Sequence, residues 1–382
     1  MRTNQQAIAL ACITGFAFSV NYTNHAPLSA LLMQEFHFNK TDAGLLTSGI
    51  FLTHALMQIP GGHWADKAGS RMVMLTGLII ITLGNAAMAF AGSYGALLTG
   101  KICIGFGTGM SFISSARFLA QSLPAEKLTR AQGWYGASIL LGSGFVLFAV
   151  PQIASLFHWS GAFLTTSAIA GIAALLVAVL IPSLPPKPHP PVQFSELLSH
   201  KELWLLGVMQ MASFGLVIVI GSWINELLKQ ELGFSPKTAG ATGSVVLLLG
   251  IFTRIYGGIL VKRTGYPKMI LLCTGLNLMG CALLVSASHL LPAVIIAIVA
   301  LGIGCGLPYA ALFGKASQLF PGRAGAAMGL VNMLGIIMIL AGAPLLGWVA
   351  DKTGNFHMAF VALALFSILA YFLNRGITDR RA

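Results

Sequence analysis

Gly61-Gly62-His63-Trp64-Ala65-Asp66-Lys67-Ala68-Gly69-Ser70-Arg71 separates two long apolar runs of the chain. Gly257-Gly258-Ile259-Leu260-Val261-Lys262-Arg263-Thr264-Gly265 repeats its frame 196 positions later (257 − 61 = 196). The same offset aligns Leu31, Gln34, Glu35, Phe38 and Gly44 with Leu227, Gln230, Glu231, Phe234 and Gly240. An offset of 197 aligns Gly105, Gly107, Gly109, Gln121 and Pro124 with Gly302, Gly304, Gly306, Gln318 and Pro321. The two halves share one helix plan. In an apolar chain, a repeat of that size points to a transporter built from two related bundles.

Composition agrees. Of 382 residues, 56% are hydrophobic and only 8% charged, with a mean hydropathy of +0.83, whereas soluble domains carry about 25% charged residues. The chain reads as an integral membrane protein, long enough for about a dozen spans of about 20 residues. A net charge of +12 would suggest nucleic acid for a soluble protein. Here it reads as the excess of Lys and Arg that fixes cytoplasmic loops, and no nucleic-acid partner is expected. The five cysteines (Cys12, Cys103, Cys273, Cys281 and Cys305) lie singly in apolar runs. They make neither a CxxC nor a Cys/His cluster, so no disulfide framework, metal site or cofactor is expected. No nucleophile–base constellation argues for an enzyme. The first apolar run is too long for a cleavable leader and continues into a repeat partner.

Hydropathy places helices at 7–33, 42–64, 72–92, 95–121, 131–156, 160–181, 202–228, 237–261, 268–288, 292–318, 324–350 and 357–375. Backbone polar groups in lipid must be bonded within their own segment, which makes the fold all-α. Residues 1–181 form an N-terminal six-helix bundle, and 201–382 form the C-terminal one. The run Pro182-Ser183-Leu184-Pro185-Pro186-Lys187-Pro188-His189-Pro190-Pro191 opens a cytoplasmic linker over 182–200, because proline at that density favours extended chain. Most Lys and Arg fall on one side of these spans, which places both termini in the cytoplasm of a multi-pass protein of the inner membrane.

The pattern Gly62-x-x-x-Asp66-Lys67-x-Gly69-x-Arg71, after the second predicted helix, resembles the signature loop of the major facilitator superfamily. The resemblance covers nearly the whole chain. It implies twelve transmembrane helices in two pseudo-symmetric bundles, alternating access, and a substrate near the membrane midplane between the halves. It also implies a gating latch at Gly62, Asp66, Lys67, Gly69 and Arg71, with Lys262, Arg263 and Gly265 in the second copy. Asp66 would pair with a base or a helix N-terminus.

Every acid lies in a loop or near a helix end, so a mid-membrane carboxylate of the kind proton relays and cation pathways use is not evident. Arg254 is the opposite case. It lies in helix 8, about two turns before Lys262, where a charge costs at least ~2.5–3.5 kcal/mol. A guanidinium fork suits carboxylates and planar oxyanions; the alternative is an arginine bonded to helix carbonyls. Arg254-Ile255-Tyr256-Gly257-Gly258 resembles the helix-8 pattern of nitrate/nitrite porters, and oxalate/formate-type and monocarboxylate carriers have a similar arginine. In those families it is implicated in anion binding. Nitrate/nitrite porters carry a matching arginine in helix 2, where this chain has Gln58 (254 − 196 = 58), so one positive charge is lost.

Further substrate-binding candidates are Arg117, Lys101, Tyr22, His25, Tyr309 and Asn332. Lys101 stands where many facilitators place a helix-4 arginine. Asn21-Tyr22-Thr23-Asn24-His25 resembles the Asn-Tyr-x-Asp-Arg segment of organic-anion symporters, with acid and arginine replaced by Asn24 and His25. His25 and His54 are the proton-coupling candidates, against the alternative of neutral hydrogen-bonded histidines. The paired glycine series reads as close helix packing.

The expected function is transport of a small anion, a small carboxylate in preference to nitrate, nitrite or cyanate, by anion exchange or proton symport. The partners are that anion, a proton or counter-anion and the bilayer, with a monomeric protein. The alternatives are a drug or metabolite exporter and a non-transporting receptor on the same fold.

Overall fold

In the computed structural model, residues 4–182, 194–320 and 324–377 are described. The helices of the first half are α1 (Asn4–Ser19), α2 (Ser29–Phe36), α3 (Lys40–Ala68), α4 (Ser70–Ala89), α5 (Tyr94–Ser122) and α6 (Ala125–Leu180). Those of the second are α7 (Phe194–Ser199), α8 (Lys201–Gln210), α9 (Leu216–Leu232), α10 (Pro236–Thr264), α11 (Tyr266–Ser286), α12 (Leu291–Gly306), α13 (Pro308–Leu319), α14 (Ala324–Thr353) and α15 (His357–Asn374). The chain divides into two compact units, Met1–Pro190 and Pro191–Ala382.

The internal repeat is written into the backbone. His37 (φ 53°) and Gly233 (φ 64°), 196 apart, both turn the chain in the left-handed region. Asn39 and Ser235 follow as N-caps of α3 and α10. Asn39 accepts from the Asp42 N–H at 2.9 Å while Asp42 accepts from the Asn39 N–H at 3.2 Å, a closed capping box. Ser235 accepts from the Thr238 N–H at 3.2 Å, and Pro236, which has no N–H to satisfy, starts α10. Both helices run 29 residues. They end at Gly69 (φ 85°) and Gly265 (φ 82°), whose N–H groups return to Ala65 and Val261. A positive φ at these two positions requires glycine.

The signature stretch is therefore not the loop expected from sequence. Gly62 and Lys67 lie inside α3, Arg263 lies inside α10, and the turn itself is one glycine. The side chains of Asp66 and Lys262 lie outside the described residues, as do Arg2, Lys187, Arg323, Arg380, Arg381 and the proline run 183–193. The tail of the expected linker is helical, as α7.

Among the described residues, eight helical stretches are long and apolar enough to cross a membrane. One, Arg130–Leu180, has 51 residues. At 1.5 Å per residue it would measure about 77 Å, far beyond a ~30 Å hydrocarbon core. It holds two passes, split where Phe157 and His158 leave helical geometry (His158 φ 62°). With α1–α2, α3 and α10, which lie outside those eight stretches, the described helices make twelve passes in an all-α architecture. Exposed side chains such as Ile79 and Leu83 on α4, and Leu365, Leu369 and Phe372 on α15, face outward in apolar stripes.

Two expected helices are broken. The first, 7–33, stops at Ser19, passes through turns and the 3-10 segment Ala26–Leu28, and resumes as α2. Pro27 lacks a donor and clashes with the preceding turn, and Asn21 and Asn24 offer side-chain bonds in place of backbone ones. The tenth, 292–318, is interrupted at Leu307, before Pro308. The seventh widens into a π-helical turn, Met211–Gly215. Irregular backbone at membrane depth persists only where protein or a wet cavity satisfies it.

Within each unit the glycine series brings helices to backbone contact. A Cβ at Gly105 would strike the Ile50 carbonyl and Thr53 Oγ1; at Gly302 it would lie 3.0 Å from the Val246 carbonyl. Ile50 and Val246 are themselves 196 apart, so the same contact is made twice, consistent with small residues setting close approach.

Candidate functional site

In the second unit the central feature is Arg254. It sits inside α10 and is 2% exposed. Its guanidinium carbon lies 3.9 Å from the centroid of the Tyr309 ring and 5.9 Å from that of Phe214. Tyr309 is delivered by the break at Leu307-Pro308 and packs edge-on against Phe313, with centroids 4.5 Å apart. Phe214 comes from the π turn. A cation on an aromatic face gains about 0.5–2 kcal/mol, more as water is excluded. Stacking uses the face of the guanidinium, whereas its five N–H donors lie in the plane, the geometry that grips a carboxylate or planar oxyanion. Asn332 is buried on α14 and accepts from Gln210 Nε2 at 3.4 Å. Asn277 Nδ2 donates to the Ala212 carbonyl at 2.9 Å and so bonds backbone in the π turn.

The first unit holds Gln58 at the repeat position of Arg254. It is 4% exposed, and neither its Nε2 nor its Oε1 has a hydrogen-bond partner. The aromatic residues are matched as well. Phe112 is the repeat partner of Tyr309 and Phe18 that of Phe214, and the Phe18 and Phe112 rings lie 6.2 Å apart, edge to face. His54, one turn before Gln58 on α3, places Nδ1 3.0 Å from Thr108 Oγ1. Its ring lies 5.5 Å from Tyr22 and 5.6 Å from Phe112. Tyr22 also stacks on Phe51 at 4.7 Å.

A separate polar cluster closes the break in the first membrane helix. Lys101, fully buried on α5, donates to the Asn21 carbonyl at 2.9 Å and to Asn24 Oδ1. Asn24 Nδ2 donates to Asn85 Oδ1 and Thr166 Oγ1, each at 3.0 Å. Asn85 Nδ2 donates to Asn21 Oδ1 at 2.6 Å. His25 borders the cluster, with Nε2 3.0 Å from Thr47 Oγ1. In the second unit the repeat positions of Asn21, Asn24, Asn85 and Lys101 are Val217, Ile220, Cys281 and Ile298. The helix plan does not require the cluster; it belongs to one half alone.

A family model described as Major Facilitator Superfamily matches residues 11–335 and, in a second match, 203–380. The chain belongs to the major facilitator superfamily. Membership makes it a multi-pass membrane protein and a secondary transporter, and points to transport rather than catalysis. Similar curated proteins include the probable nitrate transporter NarT of Staphylococcus haemolyticus (strain JCSC1435), 24% identical over 365 residues, covering 95% of this chain and 93% of that protein. NarT of Staphylococcus aureus (strain JH9) is 24% identical over 378 residues, covering 97% and 94%. A bacterial homolog to the human lysosomal transporter Spinster, in an inward-facing and unoccupied conformation, superposes with a TM-score of 0.76 at 15% identity, over 97% of this chain and 96% of that one. At that identity the likeness shows the fold alone.

Against the sequence expectations for this facilitator, Arg254 and Tyr309 come together. Tyr22 and His54 also come together, and His25 and Lys101 share the helix-1 break. Arg117 does not join Lys101: sixteen residues later on α5, it lies about 24 Å further along the helix axis, half-buried. Arg71 donates through Nη2 to the Ala178 carbonyl at 2.5 Å, a contact within its own bundle. Asn85, Thr166 and Phe214 were not among the expected site residues. A lone asparagine in the middle of an apolar helix was the available signal for Asn85. Thr166 and Phe214 carried none, because threonine and phenylalanine are ordinary in membrane helices.

Proposed function

We propose that this facilitator carries a small anion and that Arg254 binds it. The observation that carries the reading is the burial of that guanidinium inside α10, on the face of Tyr309. A permanent positive charge kept there through the insertion cost is accounted for by a negatively charged solute that takes its in-plane donors. Tyr309 orients the fork. The nitrate named for the staphylococcal relatives is one such anion. Gln58, in place of a second arginine, favours a small carboxylate over nitrate.

Coupling is by exchange of anions or by a proton carried on His25 or His54. The charge pattern of the loops supports both termini in the cytoplasm of the cytoplasmic membrane. The stretch from Gly62 to Arg71 and its copy at Lys262, Arg263 and Gly265 serve as the cytoplasmic gate.

The test is a thermal-shift screen of purified protein against small carboxylates and oxyanions, with Arg254→Ala beside the wild type. Binding to the folded state raises apparent stability. An anion that stabilises the wild type but not the variant, and that crosses the membrane in proteoliposomes, supports the reading. Equal responses from both proteins would make Arg254 structural.

A further inference from the structure

Asn277 is fully buried within α11, and the helix plan does not require an amide there. Its repeat position is Ile81 (277 − 196 = 81), equally buried in α4. The corresponding backbones differ as well. Residues 211–215 form the π turn, whereas 15–19 lie in the plain α-helix of α1. In the π turn the Leu216 N–H reaches back five residues to the Met211 carbonyl. Irregular backbone in a membrane helix persists only with partners from outside it. Asn277 is such a partner, donating Nδ2 to the Ala212 carbonyl at 2.9 Å. Ser213, where α1 has Ala17, donates through Oγ to the Cys305 carbonyl at 2.5 Å. Because α12 ends at Gly306, that carbonyl has no partner within α12. Cys305 Sγ returns to Asn277 Oδ1 at 3.4 Å and closes the ring of contacts.

This ring ties together the two irregular stretches that surround Arg254. The π turn carries Phe214, and the end of α12 leads into the break that delivers Tyr309. We propose that Asn277 and Ser213 are positioning residues of the transport site. They hold the π turn against the end of α12, so that the Phe214 and Tyr309 rings both reach the Arg254 guanidinium. Every member lies in the second unit. The assignment to transport rests on the anion reading of Arg254 and deepens it. Without Asn277 the Ala212 carbonyl loses its donor, and closing the turn to a plain α-helix, as in α1, restores a backbone bond. That change shifts the helix by one residue, about 100° of rotation, and turns Phe214 away from Arg254.

A fluorinated phenylalanine at position 214 reads the contact without any ligand. Its fluorine NMR line should move on Arg254→Met in the otherwise wild-type protein. In the Asn277→Leu background the ring is turned away, and Arg254→Met should leave the line where it is. Ser213→Ala, the milder change, should weaken the same response and gives the reading where Asn277→Leu does not purify. Uptake of nitrate and of acetate is then followed in proteoliposomes. Asn277→Leu should raise KM by about two- to thirty-fold, the worth of ring contacts on a cation, with the maximal rate little changed. A side chain that only stabilises the fold lowers the melting temperature and leaves the fluorine response and KM alone. A line that answers Arg254→Met equally with and without Asn277 and Ser213, or a loss confined to the maximal rate, overturns the proposal. If neither anion crosses with wild type, the anion reading of Arg254 falls, and the fluorine line by itself still decides whether Asn277 and Ser213 set the ring on the guanidinium.

Discussion

The guanidinium of Arg254 on α10 rests over the ring of Tyr309 on α13, 3.9 Å from its centroid. The contact exists because α13 starts afresh at Pro308, which turns the next side chain toward α10. Tyr309→Leu should therefore leave the charge in place and remove its platform. The loss expected is about 0.5–2 kcal/mol, read as a rise in KM of a few-fold to thirty-fold with little change in the maximal rate. Arg254→Lys should lose more, because an ammonium has neither the plane nor the fork. Uptake kinetics in proteoliposomes check both.

Lys101 and Asn24 bond across the break in the first membrane helix. Lys101→Met leaves the Asn21 carbonyl and the Asn24 amide short of a partner. It should cost about 1–3 kcal/mol, seen as a lower melting temperature in detergent. The second unit supplies the rescue, since it carries Ile298 and Ile220 at the matching positions. Combining Lys101→Ile with Asn24→Ile should recover part of that stability. If the cluster serves transport, the double variant stays inactive. Recovery of full uptake would reduce the cluster to a packing element.

Gly257 tests the close helix approach. A Cβ there would drive into the Leu307 backbone carbonyl, whereas one at Gly275 meets nothing within 4 Å. Gly257→Ala should destabilise by about 1–3 kcal/mol, since backbone cannot move aside as a side chain can. Gly275→Ala should be neutral or stabilising by up to about 1 kcal/mol, as alanine is the better helix former. Thermal denaturation of the two variants side by side gives the comparison.

The coupling histidines can be separated. His54 is walled by the Tyr22, Phe51 and Phe112 rings. His25 lies at the polar break, beside Thr47 and the Lys101 cluster. If a proton drives uptake, His25→Gln should abolish accumulation driven by a pH gradient and leave exchange intact. His54→Gln should change accumulation little. Uptake with and without an imposed gradient distinguishes them, and loss in His54→Gln alone would reverse the assignment.

Much of this was legible in the chain. The half-length repeat predicted two like bundles, and the backbone carries it down to matched caps at Asn39 and Ser235 and matched glycines at Gly69 and Gly265. Arg254 stood out because a charge within an apolar run is rare. What could not be read was which side chains meet. The chain was expected to run unbroken from 7 to 33, although Asn21, Asn24 and Pro27 lay in view. Whether an asparagine bonds its own helix or a neighbour depends on what packs there. Here Lys101, Asn85 and Thr166 supply the neighbours, from positions up to 142 residues away.

The sequence by itself determined the membrane class, the all-helical architecture, the duplication and the identity of the buried cation. Those follow from composition, periodicity and offset, which are properties of local stretches of chain. Only the tertiary structure decided that Tyr309 covers Arg254, that Lys101 is engaged at the helix-1 break, and that both polar atoms of the Gln58 side chain are buried without a hydrogen-bond partner. Those depend on distances between residues far apart in sequence. Hydrogen bonds and ring contacts act over a few ångströms, and no local pattern encodes which partners folding brings within that reach.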